Sequence, residues 1–308
     1  MAKISVVVPC YNEEESLLFF FEAIEKIRPQ IPTDFEYIFV NDGSRDKTLE
    51  VLRKLHDENP DLVHYISLSR NFGKESAIYA GLIEATGDYV TLMDADLQDP
   101  PETLIEMYRM LQNPEVDCVA ARRSDRSGEP WLRSAFSHLF YKIINKISET
   151  PIIENVRDFR LMKRQMVDAI LELAEYNRFS KGLFTWVGFN TEYVAYENHE
   201  RVAGETHWNF FSLLKYSLDA FINFSELPLN LAIYMGLFVV FVDIMAVLFV
   251  IIRAFFWHDP VSGWASTITI ILFAFGTILL MLGIIGKYIA KIFSEVKNRP
   301  IYIVKEKK

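Results

Sequence analysis

Two aspartates separated by a single residue, Asp94 and Asp96, follow an apolar run that has the length and composition of a buried strand. Pro100 and Pro101 prevent the strand from continuing and suit the first turn of a helix. Carboxylates this close repel each other unless a cation joins them, and a hard divalent ion that keeps waters and bridges phosphates is the usual partner. The pattern indicates a metal site at a strand end; a helix N-cap with solvated acids is the competing interpretation.

Alternating strand and helix patterns predict the elements that position this pair. The predicted strands cover residues 4–8, 37–40, 63–68, 89–93 and 117–121, and helices follow the first four at about 12–27, 46–57, 75–85 and 102–111. Strands that alternate with helices pair in parallel and form a sheet covered on both faces. Ligands of such sheets bind at the carboxyl ends of the strands, which is where the aspartate pair lies.

Polar residues in the other loops at that edge indicate a nucleoside diphosphate. Tyr11, between Pro9 and Glu13, has a ring that can stack on a base. Asp42 can accept a hydrogen bond from a base or ribose, and Lys74 supplies positive charge. Each residue also has an ordinary interpretation: Tyr11 as a packed ring, Asp42 as part of a turn and Lys74 as a solvated helix start. The chain contains neither Gly-x-x-x-x-Gly-Lys nor Gly-x-Gly-x-x-Gly, so the best-known phosphate-binding loops are not indicated.

Four segments together resemble the inverting GT-A glycosyltransferases that charge a polyprenyl phosphate. They are Val-Val-Pro-Cys-Tyr-Asn-Glu-Glu (7–14), Val-Asn-Asp-Gly-Ser (40–44), Arg-Asn-Phe-Gly-Lys (70–74) and Asp-Ala-Asp-Leu-Gln-Asp-Pro-Pro (94–101). The chain resembles dolichol-phosphate mannosyltransferase over the catalytic domain. It resembles more closely the bacterial undecaprenyl-phosphate glycosyltransferases, which add two C-terminal transmembrane helices, and this likeness extends through residues 283–288 and 296–300.

The resemblance implies roles for individual residues. Asp94 and Asp96 are expected to hold Mg²⁺ or Mn²⁺ on the diphosphate of the sugar nucleotide. Asp158 corresponds to the position that the family assigns as the catalytic base. A phosphate acceptor with a second pKa near ~6 is already largely dianionic at neutral pH, so Asp158 either deprotonates or only orients it. The residues expected at the donor nucleotide are Pro9, Tyr11, Glu13, Asp42, Lys74, Asp94, Asp96 and Gln98.

Basic segments further along are expected to meet phosphates. By the same resemblance, Arg122 or Arg123 with Arg133 contacts the donor diphosphate or the lipid phosphate, unless residues 122–128 are an ordinary solvated loop. Residues 177–183 and 186–189 resemble the acceptor side of the family, with Lys181 at a position often occupied by arginine. Residues 201–208 resemble the segment that closes over the pyrophosphate, and His207 stands where lysine is more usual. The alternative is that His207 is an ordinary surface histidine. The expected phosphate and acceptor ligands are Arg122, Arg123, Arg133, Arg178, Lys181, Arg201 and Thr206.

The composition indicates contact with lipid. The 308 residues are 51% hydrophobic with a mean hydropathy of +0.12, which is high for a purely soluble protein. The net charge of −9 argues against a nucleic-acid partner. No signal peptide is visible at the N-terminus, and Cys10 and Cys118 lie in or beside apolar runs, which predicts reduced core thiols in a cytoplasmic domain.

Two apolar segments, about 229–256 and 264–288, are each long enough to cross a bilayer. The loop between them has no Lys or Arg, whereas many follow the second segment, so both termini are expected in the cytoplasm. Amphipathic helices are predicted at about 131–147 and 207–228, where they would lie on the membrane, with core packing as the alternative for the first. Asp243 in the first span is a candidate polar contact, and Gly276, Gly283 and Gly286 suit helix packing in a homo-oligomer.

The predicted fold class is α/β. A GT-A domain (1–206), Rossmann-like with a mostly parallel sheet, is followed by a juxtamembrane amphipathic helix (207–228), a two-helix transmembrane hairpin (229–290) and a basic cytoplasmic tail (291–308). We expect an integral protein of the inner, cytoplasmic membrane.

The expected reaction is inverting, metal-dependent transfer of a sugar from a nucleotide-sugar donor, such as UDP-glucose, to undecaprenyl phosphate. The product would be a polyprenyl-phosphate-linked monosaccharide for cell-envelope glycosylation. A processive polysaccharide synthase is a rival, but such enzymes usually carry Gln-x-x-Arg-Trp and more spans than this chain offers. A membrane scaffold that binds nucleotide without turnover is another; it predicts loss of the acids, yet Asp94, Asp96 and Asp158 are all present.

Overall fold

Eight strands form one mixed sheet, and helices cover it. The computed structural model describes residues 2–124, 156–196, 227–257 and 264–308. Its strands are β1 (Lys3–Cys10), β2 (Asp34–Asn41), β3 (Val63–Leu68), β4 (Tyr89–Leu92), β5 (Cys118–Arg123), β6 (Val156–Lys163), β7 (Thr191–Tyr196) and β8 (Val304–Lys307). Its helices are α1 (Leu17–Ile27), α2 (Thr48–Glu58), α3 (Lys74–Glu84), α4 (Thr103–Leu111), α5 (Arg164–Glu172), α6 (Ser180–Trp186), α7 (Leu227–Trp257) and α8 (Trp264–Val296), with a short 3-10 helix at Arg28–Gln30.

The first four strands follow the predicted alternation of strand and helix. β1 pairs in parallel with β2 and β4, and β2 pairs in parallel with β3. In β1, Val6 and Val8 belong to the apolar cluster that includes Phe20 of α1, whereas Val7 belongs to the opposite cluster, which includes Ala77 of α3. Both faces of the sheet are therefore buried, which explains why these strands are almost continuous apolar runs.

The remaining strands make the sheet mixed. The strand order is β7-β5-β6-β4-β1-β2-β3-β8, with β6 antiparallel to both β4 and β5. Because β6 runs against β4, the amino end of β6 lies at the carboxyl end of β4. Leu92 pairs with Arg160, so this register, continued two residues, sets Asp94 opposite Asp158. The predicted α/β fold with a mostly parallel sheet is confirmed, since β6 and β8 alone among the described strands run against the others.

The end of the chain contributes a strand that the sequence did not predict. β8 pairs antiparallel with β3, and Lys308 and Tyr65 exchange backbone hydrogen bonds. Side chains reinforce the pairing, since Glu306 accepts hydrogen bonds from Arg53 and from the Tyr65 hydroxyl. The segment predicted as a basic tail therefore includes the last turns of α8 and an edge strand of the sheet.

Two long apolar helices, α7 and α8, cover the segments predicted to span a membrane. In the described part of the chain, Phe273–Val296 is long and apolar enough to cross a bilayer, and Ala232–Ala246 is a shorter apolar stretch. The chain divides into two compact units, one from 1–215 with Arg299–Lys308 and the other Tyr216–Asn298. The predicted amphipathic helix at 131–147 and most of the one at 207–228 lie outside the described residues. Both cysteines are free and buried, as predicted.

Candidate active site

One ammonium group joins two carboxylates from distant parts of the chain at the carboxyl edge of the sheet. The Nζ of Lys74 lies 2.7 and 2.8 Å from the two carboxylate oxygens of Asp94. It also lies 2.7 Å from Oδ2 of Asp158. The three side chains are 41%, 37% and 21% exposed, so this acidic cluster opens to solvent. All three residues were predicted for the site, but nothing in the sequence indicated that Lys74 bridges the two acids.

The loop before α3 holds Lys74 in place. Gly73, which precedes the helix, has a φ of 100°, a conformation that glycine adopts without steric cost. The carboxylate of Asp42 accepts hydrogen bonds from the backbone N–H groups of Phe72 (2.7 Å) and Gly73 (2.8 Å). Asp42, predicted to contact the donor nucleotide, therefore also ties the loop after β2 to the loop that carries Lys74.

The turn after β4 positions the second aspartate of the pair. Asp96 is 8% exposed, and its Oδ1 accepts a hydrogen bond of 3.2 Å from the N–H of Gln98. Leu97 between them has a φ of 54°, which is costly for a residue with a Cβ. Backbone strain of this kind tends to occur at functional sites. The turn over residues 96–98 therefore fixes the Asp96 carboxylate at the strand end.

A buried group that the sequence did not predict supports this turn. Asp99 accepts a short hydrogen bond from the hydroxyl of Tyr196 and lies 3.9 Å from Nε of Arg157. Nη2 of Arg157 donates to the side-chain oxygen of Gln98 at 3.4 Å. Burial raises the pKa of Asp99, an effect that the charge of Arg157 opposes. An aspartate before two prolines reads as an ordinary helix cap, so its partners on β6 and β7 could be found only from the fold.

The predicted nucleotide-binding loop after β1 is fastened to the loop after β2. The N–H of Asn12 donates to Ser44 Oγ at 3.0 Å, and the N–H of Glu13 donates to Thr48 Oγ1 at 2.8 Å. Pro9 and Cys10 are the last two residues of β1, and the half-buried Tyr11 follows in the loop. These residues lie on the same edge of the sheet as the acidic cluster, and their contact with a nucleotide is a prediction.

The basic residues predicted for phosphates are found in different settings. Arg122 and Arg123 end β5 at the same edge of the sheet. Arg178 is 8% exposed, and its guanidinium lies 4.2 Å from the ring centre of Tyr79, so it contributes to packing. Lys181 lies in the first turn of α6, and its charge acts on Asp158. Four predicted positions lie outside the described residues: Arg133, Arg201, Thr206 and His207.

The acidic cluster is stable in its ionised form. Burial acts to raise the pKa of Asp158, but the charges of Lys74 and then Lys181 outweigh burial and lower the pKa. Burial acts to lower the pKa of Lys74, but Asp158 and Asp94 raise it. Both groups therefore stay charged at neutral pH, where an aspartate with a lowered pKa is a weak base.

Asp94 and Asp96 suit a divalent cation as part of a larger ligand set. Among the described residues, no group of three or more His, Cys, Asp or Glu side chains is arranged to hold a metal ion. Mg²⁺ bound at phosphates needs only one or two carboxylates, because waters and phosphate oxygens complete its shell, and Mn²⁺ shares its preference for oxygen ligands. The two carboxylates fit such an ion when a diphosphate supplies the remaining oxygens.

Comparison with known proteins gives consistent matches. The model of glycosyl transferase family 2 matches residues 5–171, from β1 through most of α5. The bactoprenol glucosyl transferase of Shigella phage SfII is 42% identical over 304 residues, which cover 99% of this chain and 98% of that protein. A prophage bactoprenol glucosyl transferase homolog of Escherichia coli (strain K12) is 40% identical over 306 residues, covering 99% of each. Among solved structures, the mannosyltransferase PcManGT from Pyrobaculum calidifontis in complex with GDP-Man and Mn²⁺ is 20% identical, with a TM-score of 0.47 over 67% of this chain and 59% of that one.

Proposed function

Because the chain belongs to glycosyl transferase family 2 and is a glycosyltransferase, we propose that it transfers a sugar from a nucleotide-sugar donor to a polyprenyl phosphate. The observation that carries the proposal is the contact of Lys74 with both Asp94 and Asp158. This contact brings an expected donor-side acid and the expected acceptor-side acid to one point at the open edge of the sheet. Two relatives are named bactoprenol glucosyl transferases, which supports a bactoprenol-type acceptor and glucose as the sugar. UDP-glucose as the donor and the phosphate of the acceptor belong to the proposal.

The reaction needs no covalent intermediate on the protein. A phosphate oxygen of the acceptor attacks the anomeric carbon of the donor while the bond from that carbon to the nucleoside diphosphate breaks and its electron pair leaves with the diphosphate. Attack from the opposite face inverts the anomeric centre. A phosphate monoester with a second pKa near ~6 is largely a dianion at neutral pH. Asp158, with its lowered pKa, therefore orients the acceptor more than it deprotonates it.

Repulsion between an anionic acceptor and an anionic donor is the main barrier that the site must overcome. Asp94 and Asp96 would hold Mg²⁺ or Mn²⁺, which supplies positive charge to the departing diphosphate when bound. Lys74 keeps Asp94 and Asp158 close without net repulsion between them. Pro9, Tyr11, Glu13, Asp42 and Gln98 bind the nucleotide. The phosphates meet Arg122, Arg123, Arg133, Lys181, Arg201 and Thr206, whereas the buried Arg178 supports this region by packing on Tyr79.

The acceptor explains the apolar helices. We propose that α7 and α8 both span the cytoplasmic membrane, that the catalytic domain and both termini lie on the cytoplasmic side, and that the protein forms a homo-oligomer. A membrane anchor keeps the enzyme at the bilayer that contains its lipid acceptor.

The test is transfer from radiolabelled nucleotide sugars by the full chain in detergent. We expect a lipid-extractable, acid-labile product that forms with polyprenyl phosphate and requires Mg²⁺ or Mn²⁺, with UDP-glucose as the best donor. A panel of other nucleotide sugars defines the donor. Polymer formation without lipid acceptor would instead identify a processive synthase, and nucleotide binding without any transfer would identify a scaffold.

A further inference from the structure

A cavity of about 400 Å³ is lined in part by Arg160, which lies two residues after Asp158 on β6. Its walls come from β5, β6, α6, the start of β7 and the loop between α6 and β7. This volume lies within the range of about 300–1,000 Å³ that is usual for sites of small organic ligands. Its lining residues include Arg160, Lys181, Phe184, Phe189 and Tyr193.

The cavity is lined by a buried cation, Arg160, that forms no direct ion pair in the described part of the chain, although the charges of Asp158 and Glu75 act on it. Arg160 is 4% exposed, and its guanidinium lies 3.6 Å from the ring centre of Phe184. Its hydrogen bonds run to backbone carbonyls, from Nε to Asp158 at 3.2 Å and from Nη2 to Arg157 at 3.0 Å. A guanidinium has five N–H donors and stays charged. Burial lowers the pKa of Arg160, which reflects the cost of keeping this charge away from water.

Asp158 does not line the cavity, but two residues that do, Arg160 and Lys181, act on its charge. Arg160 is two residues after Asp158 on β6, so the two side chains leave the same face of the strand about 6.8 Å apart along its axis. Lys181 lines the cavity, and its charge also acts on Asp158. An anion between Arg160 and Lys181 would therefore lie next to the carboxylate that orients the acceptor.

The rest of the wall is aromatic. Phe189 and Tyr193 are half-buried, and Phe184 is buried beneath the guanidinium. Two cations beside three aromatic rings suit a molecule with an anionic head and an apolar chain better than they suit a free sugar or a free phosphate.

We propose that this cavity binds the acceptor, with its phosphate at Arg160 and Lys181 and the first carbons of its prenyl chain against Phe184, Phe189 and Tyr193. The inference rests on the proposed function and deepens it, because it adds Arg160 and the three aromatic residues to the acceptor site. It also gives the buried guanidinium a directly paired anion, which the described residues do not supply.

The kinetic test uses Phe189→Ala and Tyr193→Ala in the full chain in detergent, with Phe19→Ala as the control. Phe19 is 52% exposed on α1 and is not among the residues that line the cavity. We expect each cavity variant to raise KM for polyprenyl phosphate about tenfold and to leave KM for the donor within about twofold, since one lost aromatic contact costs about a factor of ten. A rise in donor KM with unchanged acceptor KM would assign the cavity to the donor sugar and overturn the proposal.

A binding test without donor separates this proposal from the proposed function. Farnesyl phosphate, farnesol and inorganic phosphate are titrated into the wild type and into Arg160→Lys, which keeps the charge but loses the planar fork. We expect farnesyl phosphate to bind at least about tenfold more tightly than farnesol or phosphate, and Arg160→Lys to remove most of that preference. If Arg160→Lys does not fold, Tyr193→Ala takes its place.

The two failures are distinguishable. If the wild type transfers sugar to polyprenyl phosphate while every cavity variant keeps the wild-type acceptor KM, the proposed function stands and the cavity assignment is wrong. If the wild type fails to use polyprenyl phosphate but farnesyl phosphate binding still depends on Arg160, the proposed function is wrong and the anion site stands. Equal binding of all three probes overturns the cavity assignment on its own.

Discussion

Each end of the sheet has a lysine paired with carboxylate groups, one at the amino end and two at the carboxyl end. The two ends differ in how many hydrogen-bond donors each carboxylate has. At the amino end, Glu36 is 5% exposed and accepts hydrogen bonds from Lys3 Nζ (2.8 Å), Ser5 Oγ (2.5 Å) and the Thr86 N–H (2.8 Å). At the carboxyl end, Asp94 and Asp158 share the single ammonium of Lys74 and remain partly open to solvent.

The difference separates a structural carboxylate from the two that we propose to be functional. The oxygens of Glu36 are surrounded by donors from β1 and from the loop before β4, so this group holds elements together and has little capacity left for a ligand. Asp94 and Asp158 keep acceptor capacity on their exposed sides, which a cation or a substrate can use. Substitutions at the carboxyl end should therefore change the rate of transfer, and substitutions at the amino end should change the free energy of unfolding.

The largest effect is expected at the aspartate pair. Asp94→Asn and Asp96→Asn each remove a carboxylate that would hold the divalent ion, so the transfer rate should fall about 1,000-fold while the thermal midpoint changes little. The measurement is transfer of radiolabelled sugar as a function of Mg²⁺ and Mn²⁺ concentration. Asp57→Asn, at an exposed position of α2, is the matched control and should behave as wild type. Wild-type turnover with unchanged metal dependence in either variant would contradict the metal assignment.

Asp158→Asn should lower the rate at saturating substrates about 100-fold, because the acceptor loses the anion that orients it. Donor binding should be retained, and it is measured directly with the nucleoside diphosphate by calorimetry. Lost nucleotide affinity would move Asp158 to the donor side and make both acids of the cluster part of one donor site.

The sequence predicted the half of the sheet whose contacts are local. β1 to β4 are apolar runs, each followed by a helix, so periodicity and the order of elements define them. β6 was not recognised as a strand because Arg157, Asp158, Arg160 and Lys163 interrupt it. Its most buried charge, Arg160, is accommodated by stacking on Phe184 and by backbone carbonyls. A local sequence pattern cannot predict the stacking contact, because Phe184 is distant from Arg160 in the chain.

The candidate site divides in the same way. Asp94 and Asp96 can be identified because they end a predicted strand, whereas Asp158 was identified only by family resemblance. The bridge through Lys74 depends on the antiparallel pairing of β6 with β4, and the sequence contains no signal for that pairing. Glu36 was missed for a related reason, since a glutamate near the start of a strand reads as solvent-exposed until its donors from β1 and residue 86 are known.

Lys74→Gln should change the pH dependence of the transfer rate. Without the ammonium, the pKa of Asp158 rises from its lowered value, because Lys74 is the main charge that lowers it. The acid limb of the pH–rate profile should therefore move to higher pH, and the rate at pH 7 should fall about tenfold. Lys54→Gln, a lysine that is 72% exposed on α2, is the control and should leave the profile unchanged. An unshifted acid limb in Lys74→Gln would show that Asp158 does not control it.

The smallest effect on transfer is expected for Glu36→Gln, which should act on stability instead. Burial alone would raise the pKa of Glu36, but hydrogen bonds from Lys3, Ser5 and Thr86 lower it from 4.5 to about 2. That lowering corresponds to about 3 kcal/mol, fully present above the unfolded-state pKa of about 4.3 and lost as the pH falls towards 2. Thermal unfolding in detergent should therefore show a gap between wild type and Glu36→Gln that is widest near pH 7 and narrows below about pH 4. Glu58→Gln, 56% exposed, should show no gap, and a loss of transfer per folded molecule in Glu36→Gln would erase the distinction between the two ends of the sheet.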